Sequence, residues 1–304
     1  MEKTRGSKGA PAKKPALTHF LCLPLVTKTS RPQLEHSLKL FKTAVRPMRQ
    51  DDAIEAQSDD DDTDKATSAP DIHHKAIRPV DTLHCTLGVM SLKPEQLVAA
   101  ITCLETLDVI ACLQGQGQAI PETDELPNTG HPSLDRPPTT APIQALKVNL
   151  KGLESMHAPE KTSILYSAPK DDSDRLYPFC LAVQKLFKDK GFLVDDDRKL
   201  KLHATIVNTI YAKGRQRRRP KRDAMPQASS GSGNTEQGHG AKANALLKID
   251  ARPVIEQYKD FVWAEDVVLD RMAICEMGAK KSLDAAGNVI DERYTEVASI
   301  ALPL

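Results

Sequence analysis

The sequence predicts an α+β chain: two lobes of antiparallel sheet with helices packed outside. Three observations predict it. Apolar stretches that alternate with period two outnumber those with helical spacing. Strand–helix–strand–helix early in the chain gives way to strand–strand–helix–strand later. A short motif in one early strand also returns in a late one.

In order, "LTHFLCLPL" (17–25) reads as a strand, with Pro24 marking an edge or an end. Ser30 is placed to cap a helix with Pro32 in its first turn, and Leu34, Leu38, Phe41 and Val45 form its apolar stripe. "TLHCTLGVM" (82–90) is a second strand. A helix follows from Pro94, striped by Leu97, Ile101 and Leu104. "IQALKVNLKGL" (143–153) and "TSILYSA" (162–168) are strands. A helix from Asp174 buries Leu176, Phe179, Val183 and Phe187 and stops at Gly191. A strand over roughly 200–211, a short helix over 252–260, and strands near 266–276 and 293–300 complete the reading.

Three stretches have compositions that cannot offset the entropy of folding. They are the acidic, Ser/Thr-rich 49–71, the Pro/Gly-rich 114–142, and 213–244, first basic and then Gly/Ser-rich. The expected organisation is a basic tail at 1–16 and one bilobal domain over 17–304, with these three as flexible insertions.

Composition narrows the function classes. The chain has 304 residues, 40% hydrophobic, enough for a substantial core. A net charge of +1 gives no global signal for a nucleic-acid partner, so any such signal is local. Cys22, Cys85, Cys103, Cys112, Cys180 and Cys275 form no CxxC, and several sit in apolar runs where a thiol acts as a small hydrophobe. They point to a reducing compartment and offer no zinc site. No metal and no cofactor is expected. Apolar runs fall well short of the roughly 20 residues of a membrane span, and the N-terminus lacks a signal-peptide pattern. The expected location is nuclear, cytoplasmic or both.

The recurring motif carries the chemistry. "LHCTL" (83–87) and "LHATI" (202–206) share Leu-His-x-Thr-aliphatic. One His-x-Thr is no more than chance, about one per chain of this size, and a lone strand histidine is ordinarily a core or edge imidazole. Two copies in matching strands, one in each half, are another matter. Strand alternation puts His84 and Thr86 on one face, opposite Leu83, Cys85 and Leu87. His203 and Thr205 share a face in the same way. If the strands lie side by side, two imidazoles and two hydroxyls converge. One neutral imidazole can then take a proton from an attacking hydroxyl while an imidazolium protonates the leaving oxygen. The threonines can donate to the non-bridging oxygens of a phosphodiester.

The paired motifs resemble the two-histidine (2H) phosphoesterase superfamily, which includes the bacterial LigT-like RNA-ligase/cyclic phosphodiesterases. "THFLCLPL", "IRPVDTLHCTLGVM", "LKGLESMHAPEKTSILYSAP", "GFLVDDDRKLKLHATIVNTIY" and "FVWAEDVVLDRMAICEMGAKK" resemble more narrowly one of its domains. That domain is named for the nuclear-localisation region of an A-kinase anchor protein and also occurs in an activating signal cointegrator subunit. The resemblance implies a bilobal, pseudo-two-fold LigT-like fold, two antiparallel sheets with outer helices around a central cleft. It implies catalysis by His84 and His203, with phosphate held by Thr86 and Thr205. The implied substrates are 2′,3′-cyclic phosphates, 2′,5′-linked oligonucleotides or RNA 3′ ends. Two departures stand out. Only some 16 residues precede the first strand, too few for the cointegrator's KH domain, and the chain ends at "SIALPL" without an anchoring helix. Kinase anchoring is therefore not expected; a monomer acting on RNA or a nucleotide, with a transcription-coactivator or RNA-processing complex as partner, is.

Other residues carry blander readings. His19 is read as structural or surface, His73 and His74 as solvated, His157 as part of a turn, and Trp263 as core. His131 and His239 fall in the insertions. "DDDD" (59–62) lacks fixed ligand geometry. "KGRQRRRPKR" (213–222), with seven Lys or Arg in ten, is an import signal, a phosphate-contacting arm or a solvated loop. Lys161, Tyr166 and Lys280 are candidates for the cleft's surroundings without an assigned role. The rival to an enzyme is a nucleotide- or RNA-binding regulatory module that keeps the cleft without useful turnover.

Overall fold

The first apolar run becomes the middle of a sheet. In the computed structural model, which describes residues 16–45, 72–115, 144–195, 198–212, 247–287 and 289–304, Phe20 to Leu23 and Leu25 are buried to 3% exposure or less. Strand β1 (His19–Pro24) pairs on one side with β2 (His84–Met90) and on the other with β9 (Arg271–Glu276). Pro24 stands at its end, opposite His84, where a missing N–H interrupts no interior ladder.

These strands belong to an antiparallel sheet completed by β12 (Glu296–Ala301), β7 (Ala204–Asn208), β5 (Ile164–Ser167) and β4 (Glu154–Ser155). Its order is β12-β9-β1-β2-β7-β5-β4. The ladder between β2 and β7 is one residue pair, Cys85 opposite Ala204. A four-stranded lobe and a three-stranded lobe thus meet at a narrow seam. A second sheet joins β6 (Pro169–Lys170), β3 (Lys147–Lys151) and β8 (Val262–Val268) in that order. A hairpin of β10 (Lys280–Leu283) and β11 (Val289–Arg293) projects between β9 and β12 in the chain. The helices are α1 (Ser30–Ala44), α2 (Pro94–Glu105), α3 (Val109–Leu113), α4 (Leu176–Asp189) and α5 (Arg252–Gln257).

The α+β class, the antiparallel pairing and the helical stripes agree with the sequence. Leu34, Leu38 and Phe41 of α1 are buried, and Ser37 Oγ donates to the Trp263 carbonyl at 2.8 Å. Trp263 is core: its Nε1 donates to the Gly152 carbonyl at 2.8 Å, and its ring meets Phe41 and Phe261 edge-on. Such aromatic pairs add about 0.5–1.5 kcal/mol each beyond burial. Gly152 has φ +79°, and a Cβ there would lie 2.9 Å from the Lys259 carbonyl oxygen, so a side chain at this turn would be both strained and obstructed.

Several boundaries differ for local reasons. Ser30 is not a cap; it is buried and its Oγ donates to the Leu25 carbonyl at 2.7 Å, tying α1 to the end of β1. The helix expected from Asp174 begins at Leu176, because Asp171 supplies the capping carboxylate, accepting from the Arg175 and Leu176 N–H groups at 2.8 and 2.7 Å. The strand expected over 200–211 is confined to Ala204–Asn208 and ends in a 3₁₀ turn at Thr209–Ala212. The region near 266–276 is two strands, since the chain turns between Val268 and Arg271. Helix α3 and the β10–β11 hairpin have no counterpart in the sequence reading: one is a single short turn, the other largely exposed and without clean alternation. The insertions expected at 49–71 and 213–244 lie wholly outside the described residues, and that at 114–142 does so from residue 116 onward.

Candidate active site

Alternation does what the motif requires. Along β2, Cys85 and Leu87 are buried in the core while His84 and Thr86 are half-buried on the other face. Across the seam Ala204 and Ile206 are buried, and His203 and Thr205 are half-buried. With Cys85 opposite Ala204, one step either way sets His84 opposite Thr205 and Thr86 opposite His203. All four side chains therefore share one face at the join of the lobes.

Both imidazoles are braced alike. His84 Nδ1 lies 2.8 Å from the Thr82 carbonyl oxygen, and His203 Nδ1 lies 2.7 Å from that of Lys201. A carbonyl can only accept, so in each neutral ring Nδ1 carries the hydrogen and Nε2 keeps its lone pair. In both cases the acceptor is two residues upstream, just before the strand. His84 Nε2 lies 3.0 Å from Thr86 Oγ1, which donates to it.

Their surroundings differ. The His84 ring packs against Phe20, centroids 4.8 Å apart, and meets Tyr294 edge-on at 5.2 Å. Burial, more than the neighbouring charges of His203 and Arg78, pulls its pKa down to about 4, against the opposing pull of the Thr82 carbonyl. His203 meets Tyr166 edge-on at 5.5 Å, and the ammonium of Lys201 lies over the Tyr166 ring at 4.6 Å. Burial chiefly, with the Lys201 charge, lowers the His203 pKa, while the Lys201 carbonyl raises it. Without substrate, both rings favour the neutral form at neutral pH.

The face opens into a cleft of about 190 Å³ lined by His84, Thr86 and Thr205 together with Arg78, Asn208 and Tyr211. His203 joins the group through the strand register rather than as a wall of this cleft. A second cleft shares Phe20, Thr82, His84 and Tyr294 with the first. Its arginines Arg31, Arg271 and Arg293 are paired with Asp81, Glu296 and Asp291.

Of the surrounding candidates, Tyr166 is brought to His203, its hydroxyl donating to Glu154 at 2.5 Å. Lys161 sits in an exposed 3₁₀ turn, and Lys280 is exposed and paired with Glu276 at 2.6 Å; neither lines the cleft. His19 contacts Thr18, and His73 and His74 stack on each other. His131, His239, the Asp run and the basic run at 213–222 lie outside the described residues. Sequence reasoning missed Arg78, Asn208, Tyr211 and Tyr294. Each is a single residue with no repeat or spacing to mark it.

Comparisons with known proteins bear on the same strands. The family model described as the AKAP7 2′5′ RNA ligase-like domain matches residues 17–292. A Schizosaccharomyces pombe relative, described as uncharacterized protein C15D4.13c, is 25% identical over 158 residues, 52% of this chain. The chain spans 58% of that relative's length. Among solved structures, Escherichia coli LigT complexed with 3′-AMP is similar at 11% identity and a TM-score of 0.42, covering 96% of this chain and 100% of its own. TT0787 of Thermus thermophilus is similar at 12% identity and a TM-score of 0.38, covering 94% and 98%. With the family match running from the first strand into the last hairpin and taking in both His-x-Thr strands, the chain belongs to the AKAP7 2′5′ RNA ligase-like domain family.

Proposed function

We propose that this protein is a metal-independent phosphodiesterase that uses His84 and His203 as a general base–acid pair. Its substrates are 2′,3′-cyclic phosphates, 2′,5′-linked oligonucleotides or RNA ends. The observation that carries this reading is the register at the seam, which brings both His-x-Thr motifs to one face with matching imidazole tautomers. Each neutral ring carries its lone pair on Nε2, the form a base needs; at His84 that lone pair is freed when the Thr86 hydroxyl turns from Nε2 to the substrate phosphate, and either ring can hold a second proton there to act as an acid. The base removes the proton from the attacking hydroxyl or water, that oxygen bonds to phosphorus as the phosphorus–oxygen bond to the leaving group breaks, and the acid protonates the departing oxygen. Thr86 and Thr205 donate to the non-bridging oxygens as their charge shifts.

His84, with the lower pKa, suits the base, and His203 suits the acid. The cleft's small volume and aromatic lining favour one phosphate with an adjoining nucleoside. A panel of 2′,3′-cyclic nucleotides, 2′,5′-oligoadenylate and RNAs with varied 3′ ends, assayed in EDTA, tests the reading. Turnover of at least one substrate that is lost in His84→Ala supports it. Saturable binding without turnover across the panel would leave a nucleotide- or RNA-binding regulatory module in its place.

A further inference from the structure

Arg78 lies outside the repeated motif, yet it lines the cleft with His84, Thr86 and Thr205. It is 4% exposed. Both its backbone and its side chain are held. The backbone N–H donates to the Ile206 carbonyl at 2.8 Å, which fixes Arg78 beside β7 next to Thr205. Its guanidinium lies 3.8 Å from the Tyr211 ring centroid. Its Nη2 lies 3.3 Å from Glu292 Oε1 on β11, and Lys281 of β10 approaches the other Glu292 oxygen at 3.6 Å.

A buried ion pair is a poor device for stability alone, because desolvation consumes much of its attraction. This one has a geometry suited to recognition. The Glu292 carboxylate and the Tyr294 hydroxyl take part of a group with five N–H donors in a plane, the Tyr211 face sets that plane, and the remaining donors are left for a ligand. A guanidinium so held beside two hydroxyls and an imidazole matches the fork geometry of a phosphate. Its charge also opposes protonation of His84. That keeps His84 neutral, the form in which it can take a proton.

We propose that Arg78 is a phosphate-binding residue of this cleft, taking the non-bridging oxygens, and that the β10–β11 hairpin serves to aim it through Glu292. This rests on the two-histidine reading for the nature of the substrate, but phosphate binding can be measured without turnover. The probes are inorganic phosphate and a nucleoside 3′-monophosphate, titrated calorimetrically against the full chain. Two variants remove the contact: Arg78→Lys, which keeps charge but loses the fork, and Arg78→Met combined with Glu292→Leu, which strands no buried charge.

The paired variant should bind both anions about 10–100-fold more weakly, the scale of a lost hydrogen bond to a charged group. Arg78→Lys should weaken binding several-fold, while His84→Ala should still bind phosphate. Thermal melting identifies which variants are folded; if the paired variant is not, Arg78→Lys decides. Unchanged affinity in a folded variant, or a wild-type protein that binds neither anion, overturns the proposal. Arg78-dependent binding without turnover of any phosphodiester would uphold Arg78 and defeat only the phosphodiesterase reading.

Discussion

The strands bearing His84 and His203 are near copies in sequence but unequal in setting. Each imidazole is pinned through Nδ1 to a carbonyl two residues upstream. Beyond that, His84 lies among Phe20, Tyr294 and Arg78, whereas His203 has the edge of Tyr166 and the nearby Lys201. A duplicated motif thus supplies two equivalent groups, and their neighbours make one harder to protonate than the other. That inequality can turn a symmetric pair into a base and an acid.

The most disruptive way to break the comparison is to remove either ring. His84→Ala and His203→Ala should each lower kcat on the order of 10²–10⁴-fold. The double variant should be hardly worse than either single, since the pair acts as a unit. Steady-state kinetics on a 2′,3′-cyclic nucleotide reads this, and full turnover in His203→Ala would refute the pairing.

The threonines come next. Thr86→Val and Thr205→Val should each cost about 10–100-fold, because a hydrogen bond to a charged phosphate is worth roughly 1.5–3 kcal/mol. Thr86→Val should also alter the pH profile, because the Thr86 hydroxyl donates to His84 Nε2. Matched profiles for the two variants would remove that distinction.

The pH dependence tests the pair, because a bell reports the titrations of both rings together. As a base His84 must be neutral, so kcat/KM should rise as pH climbs through about 4. As an acid His203 must be protonated, so kcat/KM should fall as pH passes its own pKa, which lies below the ordinary 6.5. The bell for kcat/KM is therefore acidic rather than neutral. A bound anion favours the charged imidazoles, so the kcat profile should lie higher. A kcat/KM maximum on the alkaline side of 7 would contradict catalysis by this histidine pair.

The smallest effect on chemistry is expected from the basic run. Replacing the arginines of 215–219 should leave hydrolysis of a small cyclic nucleotide unchanged. It should reduce nuclear accumulation or weaken binding of longer RNA, with a shallower salt dependence. Equal losses on small and long substrates would place the segment in the active site.

Local chemistry made a good part of this protein legible in its sequence. Period-two alternation marked β1, β2 and β7, helical stripes marked α1, α2 and α4, and the same alternation put His84 with Thr86 and His203 with Thr205. These are properties of neighbours along the chain, so they can be read from order alone. The single-pair seam that sets Cys85 against Ala204 was decided by tertiary structure, as were the aromatic wall around His84 and the meeting of Arg78 with Glu292. Arg78 and Glu292 are 214 residues apart, and neither strand phase nor composition links them. The pairing of each candidate histidine with its threonine is written in short-range order. Their pKa values and partners arise from burial and long-range packing, which exist only once the lobes are joined.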